Sequence, residues 1–222
     1  MNFLSIFDVI GPNMIGPSSS HTAGAVLIAL MARKLFPEPI KKVTFTLYGS
    51  FAKTYRGHGT DRALLGGILG FPTYDERIRD SFEHAKTMNV ECEYIIDEET
   101  KTNHPNTADI EMIGVNGHHL SVRGESIGGG KMKIVRIDNI KVEFTGEYST
   151  LIVHQQDKPG VVAHITQALS EQNVNIAYMR LFRESKGANA YTVVESDHPI
   201  PEEILDKIRT NPNVDNLMLI QV

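Results

Sequence analysis

STLIVHQQDKPGVVAHITQALSEQNVNIAYM, Ser149 to Met179, decides the fold of the second half of this chain. STLIVHQQ alternates in the manner of a strand. Asp157-Lys158-Pro159-Gly160 is a turn, because proline presets φ and glycine tolerates positive φ. VVAHITQALSEQ is an amphipathic helix, with Val161, Ile165 and Leu169 on one face at i, i+4 and i+8. Beyond it, VNIAYMRLFRE and ANAYTVVES read as strands joined at ESKG. PEEILDKIRT is a helix with proline near its start, and NLMLIQV is a last strand. The order β-α-β-β-α-β predicts the ferredoxin-like split arrangement, two helices on one face of an antiparallel sheet.

Upstream of Phe144–Ser149 the pattern changes to Gly-rich turns and Ser/His clusters, which places a domain boundary there: residues 1–145, then 149–222. In the first domain Ser18–Thr22 stands at the mouth of a helix running to about Phe36, stopped by Pro37 and Pro39. KKVTFTLYGS is a strand. RGHGTDRALLGGILG is a Gly-rich turn into a second helix, SFEHAKTMN a short helix and VECEYIID a strand. The segment from Thr107 to Asp138 reads as strands turning at Asn116-Gly117 and Gly128–Gly130. The expected class is α/β (α+β): a mixed first domain and a ferredoxin-like second one.

Composition narrows the function classes. The 222 residues carry a net charge of -5, and no basic run exceeds two residues, so neither nucleic acid nor an anionic membrane is an expected partner. No uninterrupted apolar stretch suits a membrane helix, and MNFLSIFDVIGPNMIGP lacks the basic start of a leader, which predicts a cytoplasmic protein. Cys92 is the single cysteine. Iron–sulfur clusters are usually held by several thiolates, so any cluster must rest mainly on another polypeptide. His84, His118 and His119 read as surface residues, with no spacing that argues for a metal.

Three polar clusters stand out. In GPSSSHT, Ser18, Ser19, Ser20, His21 and Thr22 could hold a carboxylate through hydroxyl and N–H donors, or merely cap a helix. GSFAKTYRGHGTD follows a strand end, where ligand loops gather. There His58 lies between two glycines as a candidate proton acceptor, and Asp61 can orient it or cap the next helix; a flexible turn with a solvated histidine is the plain alternative. The third pairs the polar turn His104-Pro105-Asn106 with Ser126 before Gly128-Gly129-Gly130, where a simple hairpin bend would account for the glycines. A hydrolase built on Ser20 and His21 is disfavoured: there is no G-x-S-x-G elbow, and adjacent residues on a helix do not face each other.

Together GPSSSHT, YGSFAKTYRGHGTD, HPN and SIGGG resemble, in order, the small domain of the iron–sulfur-dependent L-serine dehydratases, in the two-chain form whose beta subunit ends in an ACT domain. HQQDKPGVVAHITQALSEQNVNIAYM resembles the opening of an ACT domain. The resemblance implies a lyase that converts L-serine to pyruvate and ammonia, active only with an alpha subunit whose cysteines hold a 4Fe–4S cluster; it also admits a monovalent cation. It implies His58 as the base taking the α-proton, with His104 second. Ser18, Ser19, Ser20, His21 and Thr22 would receive substrate, with Asp61, Asn106, Ser126, Gly128 and Gly129 lining the same pocket. In the ACT domain it points to Asp157, Pro159, Gly160 and Val161 for an amino-acid ligand or for self-association. A non-catalytic, serine-sensing regulator is the alternative, because a related small domain serves as an allosteric module in certain phosphoglycerate dehydrogenases.

Overall fold

A computed structural model of the chain describes residues 13–221, so much of the N-terminal stretch considered for a leader lies outside the described residues. The chain divides into two compact units between Asp138 and Asn139. That is upstream of the boundary expected at Phe144–Ser149, and the strand Ile140–Phe144 falls with the second unit.

The first unit opens on a single wide π-turn, Ser19–Ala23, leading into helix α1, Gly24–Leu35. Phe36, extended before Pro37, ends it as the proline requires. Strand β1, Ile40–Tyr48, runs into helix α2, Gly49–His58, and helix α3, Thr60–Ile68. A short 3-10 turn, Glu76–Asp80, and helix α4, Ser81–Thr87, precede strand β2, Glu91–Asp97. Strands β3, Thr107–Gly114, β4, His119–Gly128, and β5, Lys131–Ile137, follow as a meander. Within this unit the strands follow the order β2-β1-β3-β4-β5 of a six-stranded sheet, with β2 parallel to β1 and the other pairs antiparallel.

The alternation in β1 and β3 gives the sheet an apolar and a polar face. Val43, Phe45 and Leu47 pair across with Met112, Ile110 and Ala108, all buried. Small residues let the helices close in. A methyl group on Gly67 of α3 would stand 2.5 Å from the Val26 carbonyl of α1, and one on Gly124 of β4 would stand 2.3 Å from Ile28. The segment from Gly49 to His58, where the sequence suggested the end of a strand and then a Gly-rich turn from Arg56, is instead a helix. Gly57 is carried inside it, Phe51 and Ala52 anchor its buried side, and only Gly59, at φ 66, breaks the chain before α3. Cys92 is half-buried on the edge strand β2 rather than packed in the core.

The second unit has strand β6, Ile140–Phe144, then β7, Ser149–Gln156, helix α5, Val161–Glu171, β8, Tyr178–Arg183, β9, Asn189–Ser196, helix α6, Glu203–Arg209, and β10, Val214–Ile220. From β7 onward this is the expected β-α-β-β-α-β order, in an antiparallel sheet β10-β7-β9-β8. Val161, Ile165 and Leu169 of α5 pack with Leu151, Val194 and Ile204 in one core. Among the described residues no helix is long and apolar enough to cross a membrane.

Candidate functional site

The site gathers where β1 hands over to α2. Gly49 adopts φ 54, and a side chain there would meet the Pro105 carbonyl at 2.6 Å. The same carbonyl accepts the Ser50 N–H at 2.7 Å, so the His104-Pro105-Asn106 turn is fastened to the start of α2. Within that turn the Asn106 N–H donates to His104 Nδ1 at 3.2 Å. The His104 carbonyl accepts the hydroxyls of Thr102 and Thr107. This segment is held as a rigid bracket.

His21 projects from the π-turn onto this bracket. Its backbone N–H donates to Ser18 Oγ at 3.1 Å, which caps the turn. Its ring is held at both ends: Nδ1 lies 2.9 Å from Ser20 Oγ, and Nε2 lies 2.9 Å from Ser50 Oγ. The Phe51 ring meets it edge-on at 5.3 Å, and the His58 ring is 4.7 Å away. Burial, and then the neighbouring His58, lower the pKa of His21 from the ordinary histidine value, which favours the neutral ring. The expectation that Ser20 and His21 would not face each other is overturned. In the π-turn the capped backbone sets the two side chains side by side.

His58 ends α2 and joins this cluster to a cavity of about 590 Å³. Thr22, His58 and Asp61 line it, together with Arg56, Arg62 and Arg79. The buried Thr22 donates its hydroxyl to the His58 carbonyl at 3.0 Å. His58 Nδ1 is buried with no hydrogen-bond partner, so Asp61 does not orient it through that atom. Asp61 instead accepts the Arg62 N–H at 2.8 Å at the start of α3, and burial pushes its carboxyl up.

The cavity does not take in the whole predicted set. Ser126 is fully buried on β4, its N–H bonded to the Asn106 carbonyl at 2.9 Å and its hydroxyl pressed toward Gly24 of α1. Gly128 and Gly129, at φ 93 and 62, make the β4–β5 turn and are not among the residues lining the cavity. Ser50, Phe51 and the three arginines escaped the sequence reading. Ser50 closed the stretch read as a strand, KKVTFTLYGS, and the arginines are scattered in sequence.

In the second unit the Asp157 carboxylate accepts the Gly187 N–H at 2.9 Å and Arg183 at 3.3 Å, which ties the β7–α5 turn to the β8–β9 hairpin. Those partners hold its carboxyl below the usual range. It does not cap α5, which begins from Gly160 at φ 90. Pro159 and Gly160 are exposed and Val161 is buried. Among the described residues no group of three or more His, Cys, Asp or Glu could hold a metal. The one thiol, on Cys92, is pushed up by burial, away from the thiolate form a cluster needs.

The chain is thus a mixed α/β unit that carries a histidine cluster, followed by a ferredoxin-like unit. Residues 5–93 match the serine dehydratase beta chain family model, and residues 149–213 match the ACT domain model. The chain is 39% identical to the probable L-serine dehydratase beta chain of Bacillus subtilis, covering 96% of each. It is 43% identical to the L-serine dehydratase beta chain of Peptoniphilus asaccharolyticus, covering 94% of each. It is also 22% identical to a D-3-phosphoglycerate dehydrogenase of Bacillus subtilis, over 88% of this chain and 37% of that one. The chain belongs to the L-serine dehydratase beta-chain family.

Proposed function

We propose that this chain is the beta subunit of a two-chain, cytoplasmic L-serine ammonia-lyase that converts L-serine to pyruvate and ammonia with an alpha subunit. The carrying observation is the His21–His58 pair, 4.7 Å apart, at the head of an arginine-rimmed cavity in a chain of this family. His58 takes the α-proton. The electron pair left on Cα forms the double bond to Cβ as the C–O bond breaks, and the hydroxyl leaves as hydroxide, which takes a proton from solvent to become water while His58 returns its own proton to solvent. The resulting aminoacrylate hydrolyses to pyruvate and ammonia. An imidazole suits this task because it exchanges a proton near neutral pH, and His58 Nδ1 is tied to no protein group. Serine's carboxylate approaches the donors of the Ser18–Thr22 turn and the guanidiniums on the cavity rim.

The residues of this chain do not fit a 4Fe–4S cluster. Cys92 is its only thiol, half-buried on an edge strand. The cluster is therefore assigned to cysteines of the alpha subunit, and no step above runs through it. Self-association belongs to the ACT unit, where Tyr178 and Leu181 stand exposed on β8.

The test mixes the purified chains without oxygen and follows pyruvate formed from serine. His58→Ala is expected to lower turnover by ~100-fold or more, the usual contribution of general base catalysis; a fall below ~10-fold overturns the base assignment. Serine binding to this chain with no pyruvate from the pair would favour the sensing alternative.

A further inference from the structure

We infer that Ser50 is a positioning residue whose hydroxyl, bonded to His21 Nε2, decides which ring nitrogen of His21 carries the proton. Its part in turnover rests on the proposed dehydratase reading; its hold on the ring does not.

Ser50 is the second residue of α2, and its backbone is already committed. Its N–H donates to the Pro105 carbonyl at 2.7 Å, and its carbonyl accepts the Thr54 hydroxyl at 2.8 Å. The bracket therefore leaves Oγ to serve the imidazole, at 2.9 Å from Nε2. On the other side Ser20 Oγ meets Nδ1 at 2.9 Å and lies 3.3 Å from Ser18 Oγ.

A neutral imidazole donates through one nitrogen and accepts through the other, so the hydroxyls at its two ends must play opposite roles. Ser18 Oγ accepts the His21 N–H at 3.1 Å and lies 3.3 Å from Ser20 Oγ, so its own proton can pass to Ser20. Ser20 then donates to Nδ1. The ring's proton falls on Nε2, and Nε2–H donates to Ser50. The Ser50 hydroxyl keeps its own proton as the free end of a chain Ser18–Ser20–His21–Ser50. Where a serine hydrolase places a carboxylate behind its histidine, a hydroxyl stands here. Among the described residues the groups bonded to or stacked on the ring are Ser20, Ser50, Phe51 and His58, and none of them is an acid. Such a histidine passes a proton on without being fixed as a cation, beside the His58 that takes one from substrate.

The experiment uses the full chain labelled with 15N at histidine, whose long-range 15N–1H spectra report the tautomer. The wild type should show His21 as neutral Nε2–H. Ser50→Ala should shift the tautomer ratio by about fivefold toward Nδ1–H, the worth of one typical hydrogen bond, and Ser50→Thr should restore it. An unchanged amide spectrum elsewhere separates this from misfolding. Unmoved His21 ring shifts in Ser50→Ala, or a wild type already Nδ1–H, would overturn the inference. In the reassembled pair Ser50→Ala should lower kcat ~10-fold with KM within about twofold, whereas a rise in KM alone overturns the positioning role. A tautomer shift alongside a wild-type pair that makes no pyruvate would sink the dehydratase reading and leave Ser50's hold on His21 standing.

Discussion

Gly24 shows how a single residue closes the first unit. A methyl group there would stand 2.0 Å from Ser126 Oγ and 2.7 Å from its Cβ, so α1 rests on β4 with no room between. Ser126 is itself fully buried with an unpartnered hydroxyl, and cannot swing into water to make space. Gly24→Ala should therefore destabilise the chain by about 1–3 kcal/mol, the range for overpacking a tight core. Urea unfolding would measure it. The double variant with Ser126→Gly should recover much of the loss, because the two residues share one contact. Equal stabilities for wild type and Gly24→Ala would show the contact to be softer than the geometry requires. None of this was legible beforehand. The sequence marks Ser126 as polar and near glycines, which suggests a ligand loop. That its partner is a glycine about a hundred residues upstream is a tertiary fact.

At the level of the element, periodicity served the strands better than glycine served the helices. The alternation in TADIEMIG is visible in the chain, and β3 buries Ala108, Ile110 and Met112 as that alternation demands. What the alternation does not disclose is the order on the other face. There Asp109 accepts Arg123 through both oxygens at 2.6 Å, Arg136 at 2.9 Å and the Tyr48 hydroxyl at 2.9 Å. The carboxylate lies where β1, β3, β4 and β5 meet, on the same β1 end that launches α2 and Ser50. Asp109→Ala would leave two guanidiniums facing each other without a counter-charge. Their side chains are 25% and 32% exposed, so water softens the penalty. The expected loss is on the order of 3 kcal/mol, the low end for breaking a buried pair. Tyr48→Phe removes one hydrogen bond and should cost about 1 kcal/mol. Thermal unfolding of the two variants would rank them, and a Tyr48 effect equal to that of Asp109 would contradict the network. Helix α2 is the opposite case. Gly49, Gly57 and Gly59 invited a loop, yet only Gly49 and Gly59 take positive φ, while Phe51 and Ala52 carry the helix into the core.

For the whole molecule, the sequence showed that there are two units and gave the β-α-β-β-α-β order of the second, because each element there is short, amphipathic and bounded by turn residues. Composition puts the seam at GEY, which looks like a linker, while the compact units divide between Asp138 and Asn139. Within the second unit strand β6 lies against β8 and β9, and Arg180 of β8 donates to Glu143 at 2.7 Å. The ion pair is about half exposed on both sides and contributes little. Ile140, Val142 and Phe144 are buried, but none of them belongs to the apolar core of the second unit, which is built from β7, α5, β9, α6 and β10. A fragment of residues 149–222 keeps that core whole and should therefore fold alone, and one of residues 139–222 should exceed it by no more than about 1 kcal/mol, the worth of an exposed ion pair. In a domain of this size 1 kcal/mol moves the midpoint by about 4–8 °C. Calorimetry of the two fragments is the check. A midpoint raised beyond that range in the longer fragment would show that β6 does pack into the ACT unit.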